Sequence, residues 1–300
     1  MKVLNYGSLN VDYVYSVDHI IVGGETQHSS KLEVFSGGKG LNQSIALAKA
    51  GVPVYHAGIV GTDGDILLEA CKEAGVNTIY IRRLPVKGGH TMIQVDKNAQ
   101  NCIILYGGTN QMQTKEFVDE VLADFGEGDY LILQNEINMV GEIIRLSHEK
   151  GCRVVFNASP IPKNPEELPL ELVDIFMVNE LEAAALAGTS TDGDFRDILK
   201  ALQKKYPKAA IVMTLGKEGV LYGYKEEFYS HPIFKVNAVD TTAAGDTFCG
   251  YFLAALCAGK SVEMALREAS AASAMAVSAK GAAPSIPVHS AMEEWLRGRS

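Results

Sequence analysis

Short apolar segments alternate with helical patterns along most of this chain of 300 residues, and this alternation limits the possible folds more than any other feature. The apolar segments, which are typical of strands, include KVLNYG, YLILQ, RVVFNAS, IFMVN and AIVMTLG. The segments between them have the spacing of helices, as in LNQSIALAKAG and DFRDILKALQKKY. Strands that are apolar nearly from end to end must be covered on both faces. We therefore predict a three-layer α/β/α domain with a mostly parallel central sheet, whose ligands bind beyond the carboxyl ends of the strands.

Two stretches interrupt this alternation because they are rich in strand-forming residues and lack a helical pattern. Residues 11–36 contain the turn signal Gly23-Gly24, and residues 88–106 contain a turn signal at Asp96 to Asn98. Each stretch predicts a hairpin, and the two hairpins together can form a small accessory sheet. The sequence has no internal repeat and no low-complexity linker. We expect one domain over residues 1–300, with a β subdomain from residues 11–36 and 88–110 inserted in it.

Composition narrows the classes of partner. The formal net charge is −9 and Lys and Arg form no run, which argues against nucleic acid and against an anionic membrane surface. No segment reaches the ~18 consecutive apolar residues of a membrane span, and the first residues predict a strand rather than a secretory signal. The five cysteines form no CxxC pair, which favours reduced thiols in a cytoplasmic protein.

The segment from Asp240 to Phe248, DTTAAGDTF, is the densest candidate site in the sequence. Small residues precede the start of a predicted helix, so a ligand can approach the backbone closely. The N–H groups of a first helical turn have no partner within the helix and can bind an anion. Asp246 lies in that turn, where an acidic residue also simply stabilises the positive end of a helix. By itself the segment leaves both an anion site and a plain helix start open.

Two further polar segments lie nearer the N-terminus. The glycine-rich run Ser36 to Gln43 opens a helix, and its Lys39 and Asn42 can donate hydrogen bonds to hydroxyl groups. The run does not match the Walker A pattern, and a plain glycine-rich loop is the alternative. Asn10 and Asp12 follow the first strand and face the same side of an extended segment. An amide and a carboxylate so placed can bind adjacent hydroxyls of a sugar, although this pattern usually means only a turn.

Two polar segments follow apolar strands in the second half of the chain. Asn179-Glu180-Leu181-Glu182 places two carboxylates and an amide where a strand meets a helix, which suits magnesium-bound water, phosphate or simple helix capping. Thr214-Leu215-Gly216-Lys217-Glu218-Gly219 forms a glycine turn that can lie against a flat base or a phosphate. No G-x-G-x-x-G follows a strand and no G-x-S-x-G occurs, which argues against a dinucleotide-dependent dehydrogenase and a hydrolase of that type.

In this order along the chain, these segments resemble the ribokinase-like family of sugar kinases, also called the phosphofructokinase-B family. DTTAAGDTF and GGKGLNQ are the specific parts. They are accompanied by N-x-D, a single Glu136 after a strand, N-E-L-E and TLGKEG, between Asn5 and about Pro287. Within the family, the sequence is most similar to the ribokinases. The resemblance implies an α/β domain with a small β-sheet lid over the sugar, which the two hairpins suit, and a homodimer in which the lids pack together.

The resemblance also implies a reaction and roles for individual residues. The expected reaction is ATP-dependent phosphorylation of the primary hydroxyl of a sugar, D-ribose first of all. Asp246 would be the base, and backbone N–H groups around Ala243, Ala244 and Gly245 would form an anion hole. The residues implied to hold the sugar are Asn10, Asp12, Gly38, Lys39, Gly40, Asn42 and Glu136. Those implied to contact the nucleotide are Asn179, Thr214, Leu215, Gly216, Lys217, Glu218, Gly219 and Gly245.

Two metal ions are implied as well. Glu182 would help organise Mg²⁺ through water, and K⁺ would bind, mostly through backbone carbonyls, at Asp240, Thr242, Ala276, Ala279, Gly281 and Ser285. Two alternatives stay open: a kinase of the same family for another sugar or a nucleoside, such as fructose or adenosine, and a non-catalytic sugar-binding regulator that kept the fold. The intact Asp246 and its small neighbours weigh against the regulator.

Overall fold

Two sheets and two layers of helices make up the computed structural model, which describes residues 1–98 and 100–299. In chain order the strands are β1 (Val3–Tyr6), β2 (Asn10–Ser16), β3 (Lys31–Gly37), β4 (Val54–Val60), β5 (Asn77–Arg83), β6 (Gly89–Val95), β7 (Asn101–Tyr106), β8 (Tyr130–Gln134), β9 (Arg153–Asn157), β10 (Ile175–Asn179), β11 (Ala210–Thr214), β12 (Val220–Tyr224) and β13 (Glu227–His231). The α-helices are α1 (Lys39–Lys49), α2 (Asp65–Ala74), α3 (Lys115–Leu122), α4 (Val140–Glu149), α5 (Glu180–Ala187), α6 (Phe195–Lys205), α7 (Ala244–Cys257), α8 (Val262–Val277) and α9 (His289–Arg297). Among these described helices, none combines the length and the apolar character needed to cross a membrane.

The larger sheet has the strand order β13-β12-β11-β10-β9-β8-β1-β4-β5. Neighbouring strands from β5 to β11 run parallel, and β12 and β13 add an antiparallel hairpin at one edge. The apolar segments of the sequence form the centre of this sheet, as predicted. The sequence analysis does not predict β12, and it does not predict the two edge strands, β5 and β13. Both leave many side chains partly or fully exposed, so they lack the continuous apolar run of a strand that is covered on both faces.

Alternate residues of the central strands enter two separate apolar cores, one under each layer of helices. Val3 of β1 belongs to one core, and its neighbour Leu4 belongs to the other. The first core contains residues of α1, α7 and α8, such as Leu41, Phe252 and Leu266. The second contains residues of α3, α4 and α6, such as Phe117, Ile143 and Leu199. The three-layer α/β/α prediction with a mostly parallel central sheet is therefore confirmed.

The strands β2, β3, β6 and β7 form a second sheet, called the lid sheet below, in the order β3-β2-β6-β7. The pairs β2–β3 and β6–β7 are antiparallel, as expected for the two predicted hairpins, and a parallel pairing of β2 with β6 joins them. Because β2 begins at Asn10, shortly after β1 ends at Tyr6, the lid sheet starts at the carboxyl end of a central strand. The small lid of the predicted fold is confirmed, and its division from the rest as a subdomain stays a prediction.

Helices α1 and α7 approach each other closely because a glycine faces an alanine at their contact. A Cβ atom on Gly250 would lie 2.3 Å from the Cβ atom of Ala46, so a larger residue would separate the helices. Asn42 and Asp246 lie four residues before Ala46 and Gly250, and therefore on the same helix faces, one turn nearer the N-termini. The packing of two apolar helices thereby sets the distance between two polar residues of the candidate site.

Candidate active site

A cavity of about 500 Å³ is lined by residues of the lid sheet and by residues at the carboxyl ends of main-sheet strands. It brings together most of the residues that the sequence predicted for the site. Those that line it are Asn10, Asp12, Gly38, Lys39, Asn42, Glu136, Asn179, Glu182, Thr214, Thr242, Ala243, Gly245 and Asp246. The other predicted residues, all of them described, lie outside this lining: Gly40, Leu215, Gly216, Lys217, Glu218, Gly219, Asp240, Ala244, Ala276, Ala279, Gly281 and Ser285.

Both carboxylate oxygens of Asp246 accept hydrogen bonds from side-chain amides. Asn42 donates to Oδ2 at 3.0 Å, and Gln43 donates to Oδ1 at 2.9 Å. The side chain is buried in the first turn of α7. A carboxylate held at both oxygens has a fixed direction, which is what a group that takes a proton from a bound hydroxyl requires.

The residue before α7, Ala243, has a left-handed backbone conformation with φ 60°. Residues other than glycine adopt this region rarely, and such strain concentrates at functional sites. No side chain in the described part of the chain caps α7, so the N–H groups of Gly245 and Asp246 in its first turn are available to an anion. Of the three predicted anion-hole residues, Ala244 donates its N–H to the carbonyl of Thr241 at 3.3 Å, and Ala243 and Gly245 line the cavity.

Asn10 and Asp12 lie side by side on the cavity face of β2. Asn110 donates to Oδ1 of Asn10 at 2.7 Å, and the hydroxyl of Thr91 donates to Asp12. Burial raises the pKa of Asp12 to about 6, and the negative charge of Glu136 adds to this increase against the effect of the Thr91 hydrogen bond. Sequence reasoning missed Asn110 and Thr91 because their contacts with Asn10 and Asp12 depend on the way the chain folds back on β2.

Glu136 connects the segment after β1 to the start of α1. Its Oε2 atom accepts hydrogen bonds from the hydroxyl of Ser8 and from the backbone N–H of Lys39, the latter at 3.1 Å. Burial raises the pKa of Glu136. Burial lowers the pKa of Lys39, but the carboxylates of Asp246, Glu136 and Glu182 outweigh burial, so this pKa lies above its ordinary value. A positive ammonium group is therefore held among three acidic side chains.

Gly40 does not line the cavity, but it supports the structure of the site. A Cβ atom on Gly40 would lie 2.4 Å from the backbone nitrogen of Ser8, so glycine allows α1 to start directly against the segment after β1. The N–H of Gly40 donates to the hydroxyl of Ser8 at 3.2 Å. This close contact brings Lys39 and Asn42 of the same helix turn to the cavity.

Asn179 and Thr214, two of the residues predicted to contact the nucleotide, lie at the ends of β10 and β11. Asn179 and Glu182 form a capping box at the start of α5, with Asn179 N–H donating to Glu182 Oε2 at 2.9 Å and Glu182 N–H donating to Asn179 Oδ1 at 2.8 Å. The hydroxyl of Thr214 donates to the carbonyl of Val178 at 3.4 Å. The turn Gly216–Glu218 that follows is exposed. Helix capping, the plainer alternative, is thus realised by residues that also line the cavity.

Known proteins resemble this chain over nearly its whole length. The sequence matches the pfkB family of carbohydrate kinases over residues 1–289. The chain belongs to this family. The kinase is 35% identical over 297 residues to the ribokinase of Haemophilus influenzae, covering 97% of this chain and 96% of that protein. It is 34% identical over 296 residues to the ribokinase of Staphylococcus aureus, covering 96% of this chain and 97% of that protein.

A solved relative has the same fold as this kinase. The structure of Arabidopsis thaliana ribokinase complexed with ribose and ATP gives a TM-score of 0.87 at 30% identity, covering 99% of this chain and 98% of that one. The predicted family, the lid-bearing α/β fold and the class of enzyme, an ATP-dependent carbohydrate kinase, are confirmed. The roles of single residues stay predictions.

The structure brings three of the residues predicted for a monovalent cation together in this kinase. The N–H groups of Thr242 and Gly281 donate to the two carboxylate oxygens of Asp240, at 2.9 and 3.0 Å. Burial acts to raise the pKa of Asp240, but these hydrogen bonds outweigh it, so the pKa lies below its ordinary value. The backbone N–H of Asp240 donates to the carbonyl of Val277, next to Ala276. Ser285 donates its hydroxyl to Ala282 instead.

The kinase also contains buried amides next to the site to which the sequence assigned no role. These amides, on Asn5, Gln43, Gln134 and Asn157, are linked to one another by hydrogen bonds. Gln43 belongs to the motif GGKGLNQ, which was the available signal, but a motif does not show which atoms its last residue contacts. Among the described residues, no group of three or more His, Cys, Asp or Glu side chains is arranged to hold a metal ion.

Proposed function

We propose that this kinase transfers the γ-phosphoryl group of ATP to the primary hydroxyl of D-ribose and forms D-ribose 5-phosphate. The observation that carries the proposal is the buried Asp246 carboxylate, held by two amides at the start of α7 and facing a cavity with many hydrogen-bonding groups. The choice of ribose is supported by the relatives named ribokinase, at 35% and 34% identity over nearly the whole chain.

In the proposed step, Asp246 takes the proton of the ribose hydroxyl O5 while O5 attacks the γ-phosphorus. The O5–P bond forms, the bond from the γ-phosphorus to the bridging oxygen breaks, and ADP leaves with that oxygen. The N–H groups at the start of α7, around Ala243, Ala244 and Gly245, stabilise the negative charge on the transferred group. Asp246 then passes its proton to water. Positioning and charge stabilisation supply most of the acceleration in such transfers.

The proposed sugar site consists of Asn10, Asp12, Gly38, Lys39, Asn42 and Glu136, with Gly40 holding the loop in place. Two observations support it. The Oδ1 atom of Asn42 is buried without a hydrogen-bond partner among the described residues, so it is available to accept a hydroxyl hydrogen. Asp12 and Asn10 offer a carboxylate and an amide two residues apart on one strand. Adjacent hydroxyls of a sugar can donate to the carboxylate and accept from the amide.

The proposed nucleotide site consists of Asn179 and the turn from Thr214 to Gly219. Glu182 is proposed to hold Mg²⁺ through water. This assignment fits the donor set, because Glu182 is buried at the cavity wall and a carboxylate oxygen is a preferred partner of this ion and its water ligands. When bound, magnesium would neutralise negative charge on the triphosphate of ATP. Lys39 supplies a further positive charge in the same cavity.

We also propose a K⁺ site at the loop that holds Asp240, with Thr242, Ala276, Ala279, Gly281 and Ser285. The support is the ionised Asp240 carboxylate and the backbone that surrounds it, since oxygen ligands suit such an ion. Thr242 lies one residue before Ala243, so an ion here would stabilise the loop that leads into α7. The cation would stabilise the conformation of the anion hole and would not take part in the phosphoryl transfer itself.

A homodimer through the lid sheet belongs to the proposal. β7 alternates, so Ile103 and Leu105 line the cavity while Ile104 and Tyr106 point away from it. The outward face exposes a cluster of apolar side chains, namely Leu32, Val34, Met92, Ile104 and Tyr106. Exposed apolar clusters mark contact surfaces. Sedimentation of the parent and of Ile104→Glu tests this, since we expect a dimer and a monomer respectively, and a monomeric parent would contradict it.

We propose a cytoplasmic location, on the evidence of the thiols. Cys71, Cys102, Cys152, Cys249 and Cys257 are all free. Unpaired cysteines are typical of a reducing compartment, and ATP is also available there. Fractionation of the source cells, with detection by antibody, tests the location, and recovery outside the cytoplasm would contradict it.

The reaction is tested by ADP release from ATP and magnesium with ribose, deoxyribose, fructose or adenosine, each with and without potassium. We expect the highest kcat/KM with ribose and an increase with potassium. A higher value with another compound would keep the chemistry and change the substrate. No turnover with any of the four compounds, in a protein whose melting temperature rises with ribose, would favour the sugar-binding regulator.

A further inference from the structure

We propose that Gln43 is a positioning residue that orients Asp246, and that Asn5 and Gln134 fix the direction of the Gln43 amide through a buried chain of hydrogen bonds. The inference rests on the proposed role of Asp246 as the base. Asn5 and Gln43 are fully buried and Gln134 is 1% exposed, so solvent does not compete for their hydrogen bonds.

The buried series of hydrogen bonds begins at Asn5 on β1. Its Nδ2 atom donates to the carbonyl of Gly40 at 2.7 Å and to the hydroxyl of Ser44 at 2.9 Å. A carbonyl oxygen can only accept, so this contact fixes the amide of Asn5 with Oδ1 on its other side. Gln134 must then present its nitrogen, which donates to Asn5 Oδ1 at 3.0 Å and to Gln43 Oε1 at 2.7 Å.

A second contact fixes the same direction from the other side of Gln43. Asn157 donates from Nδ2 to the carbonyl of Met177 at 2.8 Å, so its Oδ1 atom faces Gln43. The Nε2 atom of Gln43 donates to that oxygen at 3.2 Å and to Asp246 Oδ1 at 2.9 Å. The backbone carbonyls of Gly40 and Met177, at the two ends of this series of hydrogen bonds, therefore fix the orientation of every side-chain amide between them. A flipped Gln43 would place its oxygen against two other oxygens.

The orientation of these buried amides leaves one polar atom without a hydrogen bond. The Oε1 atom of Gln134 is buried without a partner among the described residues. A buried acceptor that lacks a hydrogen bond destabilises a protein. A flip of Gln134 would break both hydrogen bonds from its nitrogen, so the unpaired oxygen is the consequence of holding Gln43 in one orientation.

Gln43 and Asn42 hold the two oxygens of Asp246 in different ways. Asn42 lines the cavity and is proposed to bind the sugar, whereas Gln43 is fully buried and does not line the cavity. Substrate binding therefore leaves the Gln43 contact in place. Gln43 keeps one carboxylate oxygen fixed while the other oxygen, next to Asn42, is close to the cavity where the ribose hydroxyl is proposed to lie.

Two substitutions of Gln43 test the proposal, with Gln113→Leu as the matched control. Gln113 is a buried glutamine outside the site whose Oε1 atom accepts from the hydroxyl of Tyr6 at 3.3 Å. Gln43→Leu removes the donor, and we expect kcat to fall about 10- to 100-fold, with KM for ribose and for ATP within about threefold of the parent, since small misplacements of a reacting group have effects of this size. Gln113→Leu should lower the melting temperature and leave kcat within about threefold.

Gln43→Glu supplies a signature that a purely structural role would not produce. The protonated carboxyl can donate to Asp246 as the amide does, while the ionised carboxylate repels it. We expect the kcat of this variant, divided by that of the parent, to rise at least about fivefold from pH 8.5 to pH 6. The charged groups that face this position are Lys39, Glu136, Glu182 and Asp246, and the parent, which contains all four, provides the baseline for the pH profile. The new carboxyl and Asp246 then titrate as a coupled pair, which the parent lacks.

The outcomes separate this proposal from the proposed function. If Gln43→Leu retains kcat within threefold of Gln113→Leu, or the ratio for Gln43→Glu is independent of pH, the orienting role of Gln43 is wrong. Asp246→Asn in the same assay tests the base: near-parental turnover there would overturn the role of Asp246, whatever Gln43 does. If Gln43→Leu shows no cooperative melting, the pH ratio of Gln43→Glu decides.

Discussion

The two halves of the active-site cavity are constructed differently. In the half proposed to bind the sugar, Asn10 and Asn42 are 2% and 5% exposed, and each is bound to another buried side chain. In the half proposed to bind the nucleotide, Thr241 is exposed, and the nearby turn Gly216–Glu218, which lies outside the cavity lining, is exposed as well. The proposed sugar half is therefore held in place by buried side chains without a ligand, whereas the proposed nucleotide half combines the capping box of Asn179 and Glu182 with more exposed loop residues.

The difference fits the chemistry of the two proposed ligands. A sugar offers neutral hydroxyls, which can be told apart only by donors and acceptors at fixed positions. A triphosphate is strongly anionic and binds together with Mg²⁺. Backbone N–H groups at the start of a helix are therefore sufficient to bind it. Single side-chain substitutions should therefore have larger effects in the sugar half than in the nucleotide half.

The largest effect is expected for Asp246→Asn. The amide keeps the shape of the side chain but cannot take the proton of the sugar hydroxyl, so kcat should fall by about 10²-fold or more. Ribose and ATP should still bind, as measured by calorimetry. Turnover within tenfold of the parent would show that Asp246 is not the base.

The next effect is expected for Asp12→Ala in the lid sheet. The loss of hydrogen bonds to a charged group should raise KM for ribose about 10- to 100-fold, with KM for ATP within about threefold. Asp18→Ala, at an exposed carboxylate beyond the end of β2, is the control and should change neither constant. An unchanged KM for ribose in Asp12→Ala would remove Asp12 from the sugar site.

The pH dependence of ribose binding should show a smaller effect of the same residue. With a pKa of about 6, Asp12 in the free protein gains a proton as the pH falls and then loses capacity to accept hydrogen bonds. The ionised fraction falls from about nine-tenths at pH 7 to about one-tenth at pH 5, so affinity should fall about tenfold. Glu136 also has a raised pKa, so calorimetry of Asp12→Asn provides the baseline. An equal loss of affinity in that variant would assign the effect elsewhere.

The smallest effect is expected for Asn179→Ala in the nucleotide half. Loss of the capping box should lower the free energy of unfolding by about 1 kcal/mol and raise KM for ATP no more than about fivefold. Asp194→Ala removes the cap of α6, where Asp194 accepts from Arg196 N–H at 2.7 Å, and is the matched control for stability. We expect that variant to keep the parental KM. A larger effect on ATP from Asn179→Ala than on ribose from Asp12→Ala would reverse the comparison between the two halves.

The parts of the fold that could be predicted are those whose surroundings require a recognisable pattern of apolar residues or turn residues in the sequence. The central strands are apolar on both faces because both faces are covered, and the lid hairpins have turn signals and no helical spacing. The edge strands β5 and β13 were not predicted, because a half-exposed strand imposes no such pattern. The site motifs were visible for the same reason, since a close backbone approach requires small residues and hydroxyl recognition requires polar ones.

Residue types and their order along the chain were enough to indicate a carbohydrate kinase and to point to Asp246, Asn42 and Asp12. Only the tertiary structure decided which atoms meet. Asn110 reaches Asn10 across 100 positions of sequence, and Gln43 reaches Asp246 across 203. The physical reason is that the position of an amide depends on the packing of separate helices and strands, here on a glycine in α7 that lets α1 approach, and its direction depends on which neighbours can only accept a hydrogen bond.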